Sequence, residues 1–223
     1  MSETKSPFSG RMYYTYVKRL VDIILAFILI IIFFPICVVA AVAIKLNSKG
    51  PVFADVPERV GQSGKTFRMY KFRSMIENAH HILRTDSRFQ QLFDEYKKGS
   101  YKLKEDPRIT QVGKFIRKHS IDEIPQFINV LKGDMSIVGP RAYYPDELEN
   151  QQKKYPQTKR MVAKVLSIKP GVTGLWQVSG RSEINFDKRI AIDARYVDTI
   201  SLWQDLKIIL KTPTIMLTGR GAV

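Results

Sequence analysis

Hydrophobic positions along this chain are very unevenly spread. From Ile23 to Ile44 every residue is uncharged and nearly every one apolar (IILAFILIIIFFPICVVAAVAI), a run long enough to cross the hydrocarbon core of a bilayer as a helix. It is too long for a signal-peptide core and has no small-residue cleavage site, so it reads as retained. Pro35 near its middle removes a backbone hydrogen bond and predicts a kink. Lys18 and Arg19 precede the run and Lys45 and Lys49 follow it, so its flanks give no charge asymmetry from which to orient a span. Two readings remain open: a kinked transmembrane helix, mildly favoured by these residues alone, and a re-entrant hairpin that leaves both ends on one side. Asp22 is one turn from Lys18 and Arg19, a spacing that suits a structural pair.

Beyond the apolar run the periodicity is that of a mixed, mostly helical domain, with no internal repeat. Gly50-Pro51 marks a turn before extended chain. The aromatic and basic residues of FRMYKFRSM, Phe67 to Met75, alternate as in a strand with a basic face. Helical patterns are predicted at 76–97, 122–132, 145–165, 186–199 and 202–211, with a charged loop over 98–113 and Gly- and Pro-rich loops between the later helices. In the last helix Leu202, Trp203, Leu206, Ile209 and Leu210 form an apolar stripe that suits either a core-facing helix or one lying at a membrane interface.

Composition changes this picture in one respect. Among 223 residues, 36 Lys and Arg against 21 Asp and Glu leave a formal charge of +15, which suits polyanionic partners: nucleic acid, anionic lipid or phosphorylated small molecules. The single cysteine, Cys37, excludes an internal disulfide, and the three histidines (His80, His81, His119) lack metal-ligand spacing.

The most informative run is Ser120-Ile121-Asp122-Glu123-Ile124-Pro125-Gln126. Ser120 and Glu123 have capping-box spacing, which predicts a helix start and offers a purely structural role for both acids. Two long loops follow, Gly133 to Arg141 and Lys169 to Arg181, each rich in Gly and Pro and each bearing an arginine at a turn. Glycines let backbone N–H groups approach a phosphate, and arginine offers it a bidentate fork. An aspartate at a helix start keeps a low pKa and stays an ionised nucleophile, while a neighbouring glutamate can hold a divalent ion. The residue types needed for phosphoryl transfer are therefore present.

In these motifs the chain resembles the bacterial sugar transferase family, the monotopic phosphoglycosyl transferases. The resemblance runs in order through Lys18 to Asp22, Tyr70 to Met75, Asp106 to Thr110, Asp122-Glu123, Gly133 to Arg141, Lys169 to Arg181 and Ser201 to Lys207, or roughly residues 16–211. It implies an α+β, mostly helical, monotopic membrane protein. Residues 1–15 would be a cytoplasmic N-terminal segment, 16–46 a re-entrant helix-break-helix, and 47–223 a cytoplasmic catalytic domain with interfacial amphipathic helices. The implied topology replaces the span that the residues alone favour. The implied reaction is ping-pong: Asp122 attacks the sugar-bearing phosphate of a UDP-sugar, UMP leaves, and undecaprenyl phosphate takes the phosphosugar from the aspartyl intermediate. Glu123 would be the magnesium-associated partner, with Mg2+ held by Asp122 and Glu123. Lys71, Arg73, Arg141 and Arg181 would contact phosphate or nucleotide. The implied location is the bacterial inner membrane, active site on the cytoplasmic face, with membrane lipids as partners, compatibility with a homodimer and no nucleic acid.

Two departures from the family pattern stand out. Phe34-Pro35 replaces the usual Ser-Pro at the helix break, and Ala142 replaces the last proline of Pro-Arg-Pro. Larger relatives carry extra membrane helices before this core, for which the short N-terminal segment here leaves no room. The donor sugar stays open among galactose, glucose and an N-acetylhexosamine, a hexose being favoured, and with it the glycan pathway served: capsule, exopolysaccharide, O-antigen or glycoprotein glycan. The competing readings are a membrane-anchored nucleic-acid binder, which would explain the charge but not the glycine loops, and a non-catalytic scaffold in which Asp122 only caps a helix.

Overall fold

The computed structural model describes residues 9–98, 101, 103, 105–180 and 184–218. A short helical turn, α1 (Gly10–Met12), runs through a π-helical segment into α2 (Lys18–Asn47), which holds the whole apolar run. Gly10–Asn47 is long and apolar enough to cross a membrane. The helix continues without interruption through Pro35, so the break implied by the resemblance does not appear as an end of helical structure.

Along α2, the residues turned toward the rest of the protein are Lys18, Asp22, Ala26, Leu29, Phe33, Cys37, Ala40 and Ile44. They recur every three or four residues, the signature of one helix face. Thirty residues at about 1.5 Å each make a rod of roughly 45 Å, and this face touches the domain from end to end. Near the start, Arg19 donates to the carbonyls of Val130 and Leu131 at 2.5 and 2.9 Å. In the middle, the Phe33 ring stacks on Phe127 at 6.4 Å. At the far end, Ala40 and Ile44 pack on Phe72 and Ile116. The opposite face, including Ile24, Phe27, Ile31, Phe34 and Val39, is exposed. So large an apolar surface on one face is that of a membrane-associated helix.

The remainder is helical with two minimal sheets. β1 (Arg59–Val60) and β2 (Thr66–Phe67) form an antiparallel hairpin. Beyond Phe67 the predicted strand stays extended but keeps only isolated bridges, Phe53 with Phe72 and Met75 with Ile109. Next come α3 (Ala79–Thr85), α4 (Gln90–Lys98), α5 (Gln111–Lys118) and α6 (Gln126–Lys132). The start of α5 lies in what the sequence reads as loop; Thr110 caps it by accepting the Gly113 N–H.

β3 (Ser136–Val138) and β4 (Gly171–Thr173) pair in parallel, and α7 (Pro145–Lys154) and α8 (Lys159–Val165) lie between them in the chain. The single helix predicted over 145–165 is therefore two, parted at Pro156, which cannot continue the backbone ladder. α9 (Leu175–Ser179), α10 (Phe186–Asp198) and α11 (Leu202–Thr218) complete the described fold. In α11 the stripe is displaced from the predicted one: Asp205 and Ile208 are buried, whereas Trp203 and Leu210 are 70% and 76% exposed. An exposed tryptophan beside Lys207 suits a helix resting at a lipid interface.

Charge fastens the apolar helix to this domain. Lys18 reaches Asp205 on α11 at 2.5 Å, and the hydroxyls of Tyr13 and Tyr196 donate to the same carboxylate at 2.9 and 2.6 Å. Asp22 accepts from the Ser136 hydroxyl at 2.7 Å and from the Ile137 N–H at 3.0 Å, tying α2 to β3. All three charged groups are buried. Removing one member of such a set strands its partner in low dielectric. Asp205→Ala is therefore expected to cost about 3–5 kcal/mol in detergent-solubilised unfolding, and combining it with Lys18→Met should cost less than Asp205→Ala alone.

Candidate active site

Asp122 sits on a single 3-10 turn, Ile121–Glu123, between α5 and α6. The predicted capping box is not formed: Ser120 takes a left-handed backbone (φ 54°) and its side chain does not cap the turn, while the α-helix begins only at Gln126. A left-handed residue is what reverses the chain sharply enough to turn Asp122 inward. The Asp122 carbonyl accepts the Phe72 N–H at 3.0 Å, locking the turn to the extended segment that carries Lys71. Buried Asn129 on α6 fixes that segment from the other side. It accepts the Tyr70 N–H at 2.9 Å and donates to the Arg68 carbonyl at 2.8 Å.

Between these elements lies a cavity of about 270 Å³, lined by Lys71, Asp122, Glu123, Arg141, Trp176 and Gln177 among others. The Lys71 ammonium lies 3.3 Å from Asp122 Oδ2 and 2.8 Å from Glu123 Oε1. Asp122 is only 7% exposed. Burial pushes its carboxyl above the usual range; Lys71 opposes that, the Glu123 charge adds to it, and Arg117 also opposes it. The low pKa expected from a helix start is thus reversed, because the turn supplies no helix terminus and the side chain is desolvated. For Lys71, burial favours loss of the proton, but Glu123 and Asp122 outweigh it and raise its pKa.

Other predicted contacts divide. The Arg141 guanidinium lies over the Trp176 ring at 5.3 Å and 3.8 Å from Glu147, and its backbone N–H donates to Asp193 at 3.1 Å. Arg189 on α10 also pairs with Glu147, at 3.3 Å, so α7 and α10 together hold the Arg141 loop. Arg73 lines the cavity, but its guanidinium is spent on the carbonyls of Ser48 and Lys49, tying down the exit from α2. Arg181 lies outside the described residues.

The loop glycines have a different task from the phosphate cradle expected of them. Gly139 N–H donates to the Thr173 carbonyl and Gly171 N–H to the Pro140 carbonyl. A Cβ on Gly171 would fall 2.0 Å from the Gly139 nitrogen. They let the two loops pack backbone to backbone, and that packing brings Arg141 and Trp176 to one cavity.

Carboxylates suited to a metal are confined here to the adjacent pair. Among the described residues no group of three or more metal-ligating side chains occurs. Two carboxylates facing a cavity still fit magnesium, which takes one or two from the protein and completes its shell with water and substrate phosphates.

A second, apolar groove of about 160 Å³ adjoins the cavity. Leu29 and Phe33 of α2, Phe127 of α6 and Ile209, Pro213 and Met216 of α11 line it. Ser120, Glu123, Val172 and Gln177 border both spaces. The arrangement can thus take an ionic group beside Asp122 and a hydrocarbon chain between the two outer helices. Arg59, Asn129, Glu147 and Asp193 carry no motif, and sequence reasoning did not find them; the topology alone brings them to the site.

Two outcomes follow from the charges. Lys71→Met removes the group that holds the Asp122 carboxyl down, so the acid limb of its pH–rate profile should move to higher pH; an unmoved limb would separate the two residues. Burial raises Asp193 to about 7. A carboxyl so raised binds its proton more tightly folded than unfolded, so the stability it contributes is present at acid pH and is lost as pH rises to about 7. Asp193→Asn should therefore flatten the fall in melting temperature between about pH 5 and pH 7.

Comparison with known proteins meets this geometry. The family model described as bacterial sugar transferase matches residues 13–219. The chain is 41% identical to the undecaprenyl-phosphate galactose phosphotransferase of Salmonella typhimurium, over 93% of this chain and 42% of that protein. It is 42% identical to the UDP-glucose:undecaprenyl-phosphate glucose-1-phosphate transferase of Klebsiella pneumoniae, over 87% of this chain and 39% of that one. With the exopolysaccharide production protein ExoY of Sinorhizobium fredii it shares 37% identity over 92% of this chain and 87% of the relative. The chain thus spans under half the length of the first two proteins and most of the third. The match takes in the apolar helix, the Lys71 segment, the Asp122 turn and both glycine loops, and the chain belongs to the bacterial sugar transferase family.

Proposed function

We propose that this protein transfers a sugar-1-phosphate from a UDP-sugar to undecaprenyl phosphate through a phosphosugar-aspartyl intermediate, as the priming step of a surface polysaccharide or glycan. The observation that carries this reading is the junction of the two spaces. A desolvated carboxylate beside a lysine forms one wall of a polar cavity, and that cavity continues into an apolar groove between α2 and α11. An acceptor with an ionic head and a long hydrocarbon tail fits such a junction, and neither a nucleic-acid binder nor a helix-capping aspartate calls for it.

In the first half-reaction an Asp122 oxygen forms a bond to the sugar-bearing phosphorus as the bond from that phosphorus to the bridging oxygen breaks, and UMP leaves with the electron pair. In the second, a phosphate oxygen of the acceptor attacks the same phosphorus and the Asp122 carboxylate departs. Lys71 serves both halves: it favours the ionised form of Asp122 against burial and offsets the charge of the transferring phosphoryl group. Arg141, seated on Trp176, can offer its guanidinium to a phosphate. Magnesium, when bound by Glu123 and Asp122 with the donor phosphates, would neutralise diphosphate charge.

The membrane topology in this reading is monotopic. A helix with one face packed on the rest of the protein from end to end is not free to stand across a bilayer, which supports a helix embedded in one leaflet; in this reading that leaflet is the cytoplasmic one of the inner membrane. The sugar stays unassigned, because relatives of equal similarity carry different sugars in their names.

The test uses purified protein with magnesium, undecaprenyl phosphate and a panel of UDP-sugars. UMP release is expected with at least one sugar, and Asp122→Asn should lower turnover roughly 10⁴-fold or more. With the acceptor omitted, the intact protein should gain the mass of one sugar phosphate on the Asp122 peptide. Near-normal turnover in Asp122→Asn would end the covalent mechanism.

A further inference from the structure

Among the buried cations, Arg59 stands apart. It lies on β1 and is 7% exposed, and it borders the same cavity as Asp122. Apart from Arg73, whose guanidinium is spent on the Ser48 and Lys49 carbonyls, the other buried cations and the cavity's Lys71 each have a carboxylate. Arg108 makes bonds of 2.8 and 2.6 Å to Asp106, Arg189 pairs with Glu147, Lys18 with Asp205, and Lys71 with Asp122 and Glu123. Among the described residues Arg59 has none. Its Nη1 donates to the Ala142 carbonyl at 3.1 Å, its guanidinium carbon lies 3.3 Å from the centre of the Tyr144 ring, and its Nε is buried without a partner. An aromatic face and one carbonyl orient a guanidinium but do not neutralise it, and a buried charge without a counter-ion is costly.

The backbone keeps Arg59 at the cavity. Val60 N–H donates to the Tyr143 carbonyl at 2.8 Å, so β1 runs beside the loop that carries Arg141. Arg141, too, has a buried Nε with no partner. The two guanidiniums border one space, and stacking on Tyr144 and Trp176 holds each of them while leaving edge donors for a ligand. Two fixed forks in one cavity match a ligand bearing two adjacent phosphates better than one bearing a single phosphate.

We infer that Arg59 is a phosphate-binding residue that, with Arg141, receives the diphosphate of the nucleotide donor, and that this anion is its missing counter-charge. The inference deepens the proposed function and rests on it for the identity of the donor. The acceptor's phosphate shares the chemistry, but it is single and approaches from the groove, whose lining does not include Arg59.

The experiment compares the full-length wild type, Arg59→Met and Arg59→Lys in nanodiscs. Arg59→Met keeps an apolar stem over Tyr144 without the charge. Binding is measured by calorimetry with UMP and with inorganic pyrophosphate, and KM is measured separately for donor and acceptor. Arg59→Met should weaken both probes and raise the donor KM roughly tenfold to hundredfold. The acceptor KM and the melting temperature should stay near wild type, and Arg59→Lys should recover part of the loss. Unchanged probe binding, a rise confined to the acceptor KM, or an equal rise in both KM values with a lowered melting temperature would each overturn the assignment. So would a wild type that binds neither probe. Should the wild type bind pyrophosphate through Arg59 yet transfer no sugar, the transferase reading would fall and the anion site would stand.

Discussion

A mostly apolar rod of thirty residues cannot be held to a water-soluble domain by hydrophobic contact alone when lipid offers its outer surface an equally good home. What distinguishes the inner face is charge placed where water cannot reach it. Lys18, Asp22 and Asp205 are buried together, and the hydrogen bonds they make join α2 to α11 and β3 and reach Tyr13 and Tyr196. In low dielectric these groups must find one another, so α2 has one rotational setting and one register against the domain. That setting turns Leu29 and Phe33 toward the groove and leaves Ile24, Phe27 and Ile31 to the lipid. A simple hydrophobic stripe would tolerate a helix rotated by a few tens of degrees; this knot does not.

The Asp122 carboxylate obeys the same logic with opposite result. Desolvation makes the Asp122 carboxylate costly to ionise, and Lys71 offsets part of that cost without forming a closed pair, because it divides its attention between Asp122 and Glu123 at 3.3 and 2.8 Å. A carboxylate paired bidentately, as Asp106 is by Arg108, would be a poor nucleophile, since its oxygens are already spent. The longer, shared contact favours the ionised form while leaving an Asp122 oxygen available.

How much of this was legible from the sequence depends on the range of the interaction. Local patterns were readable. The apolar run became α2, α10 lies close to its predicted limits and α11 begins where predicted but runs on to Thr218, because amphipathic periodicity is written over a few turns. Asp122, Glu123, Lys71 and Arg141 meet at one cavity as the motifs suggested. What failed was inference from spacing where tertiary contact decides. Ser120 and Glu123 have capping-box spacing, but the left-handed Ser120 breaks the helix start. Gly139 and Gly171 look like phosphate-cradling glycines, yet their N–H groups are consumed by a parallel pairing between segments some thirty residues apart, which no local pattern encodes. The α11 stripe was displaced for a similar reason. Its buried centre is an aspartate, which hydrophobic counting places outside and which Lys18, Tyr13 and Tyr196 bring in.

The glycine loops also explain why a polar cavity and an apolar groove of opposite character meet at one place, as the proposed reaction requires. Packing Gly139 against Gly171 and Gly174 brings the two loops to backbone contact, which leaves no room between them for side chains. The side chains that emerge from this seam therefore go to one side or the other. Arg141 and Trp176 go to the polar cavity, Ile137 and Val178 to the apolar groove, and only Ser120, Glu123, Val172 and Gln177 border both. A bulkier residue in the seam would force the loops apart and widen the opening between the two spaces, admitting water to the face where, in the proposed reaction, a phosphoaspartyl bond would be exposed to hydrolysis. Keeping the seam closed confines access to the end that an amphiphilic acceptor can fill, so the backbone contact that looks purely structural is also what would favour transfer over hydrolysis.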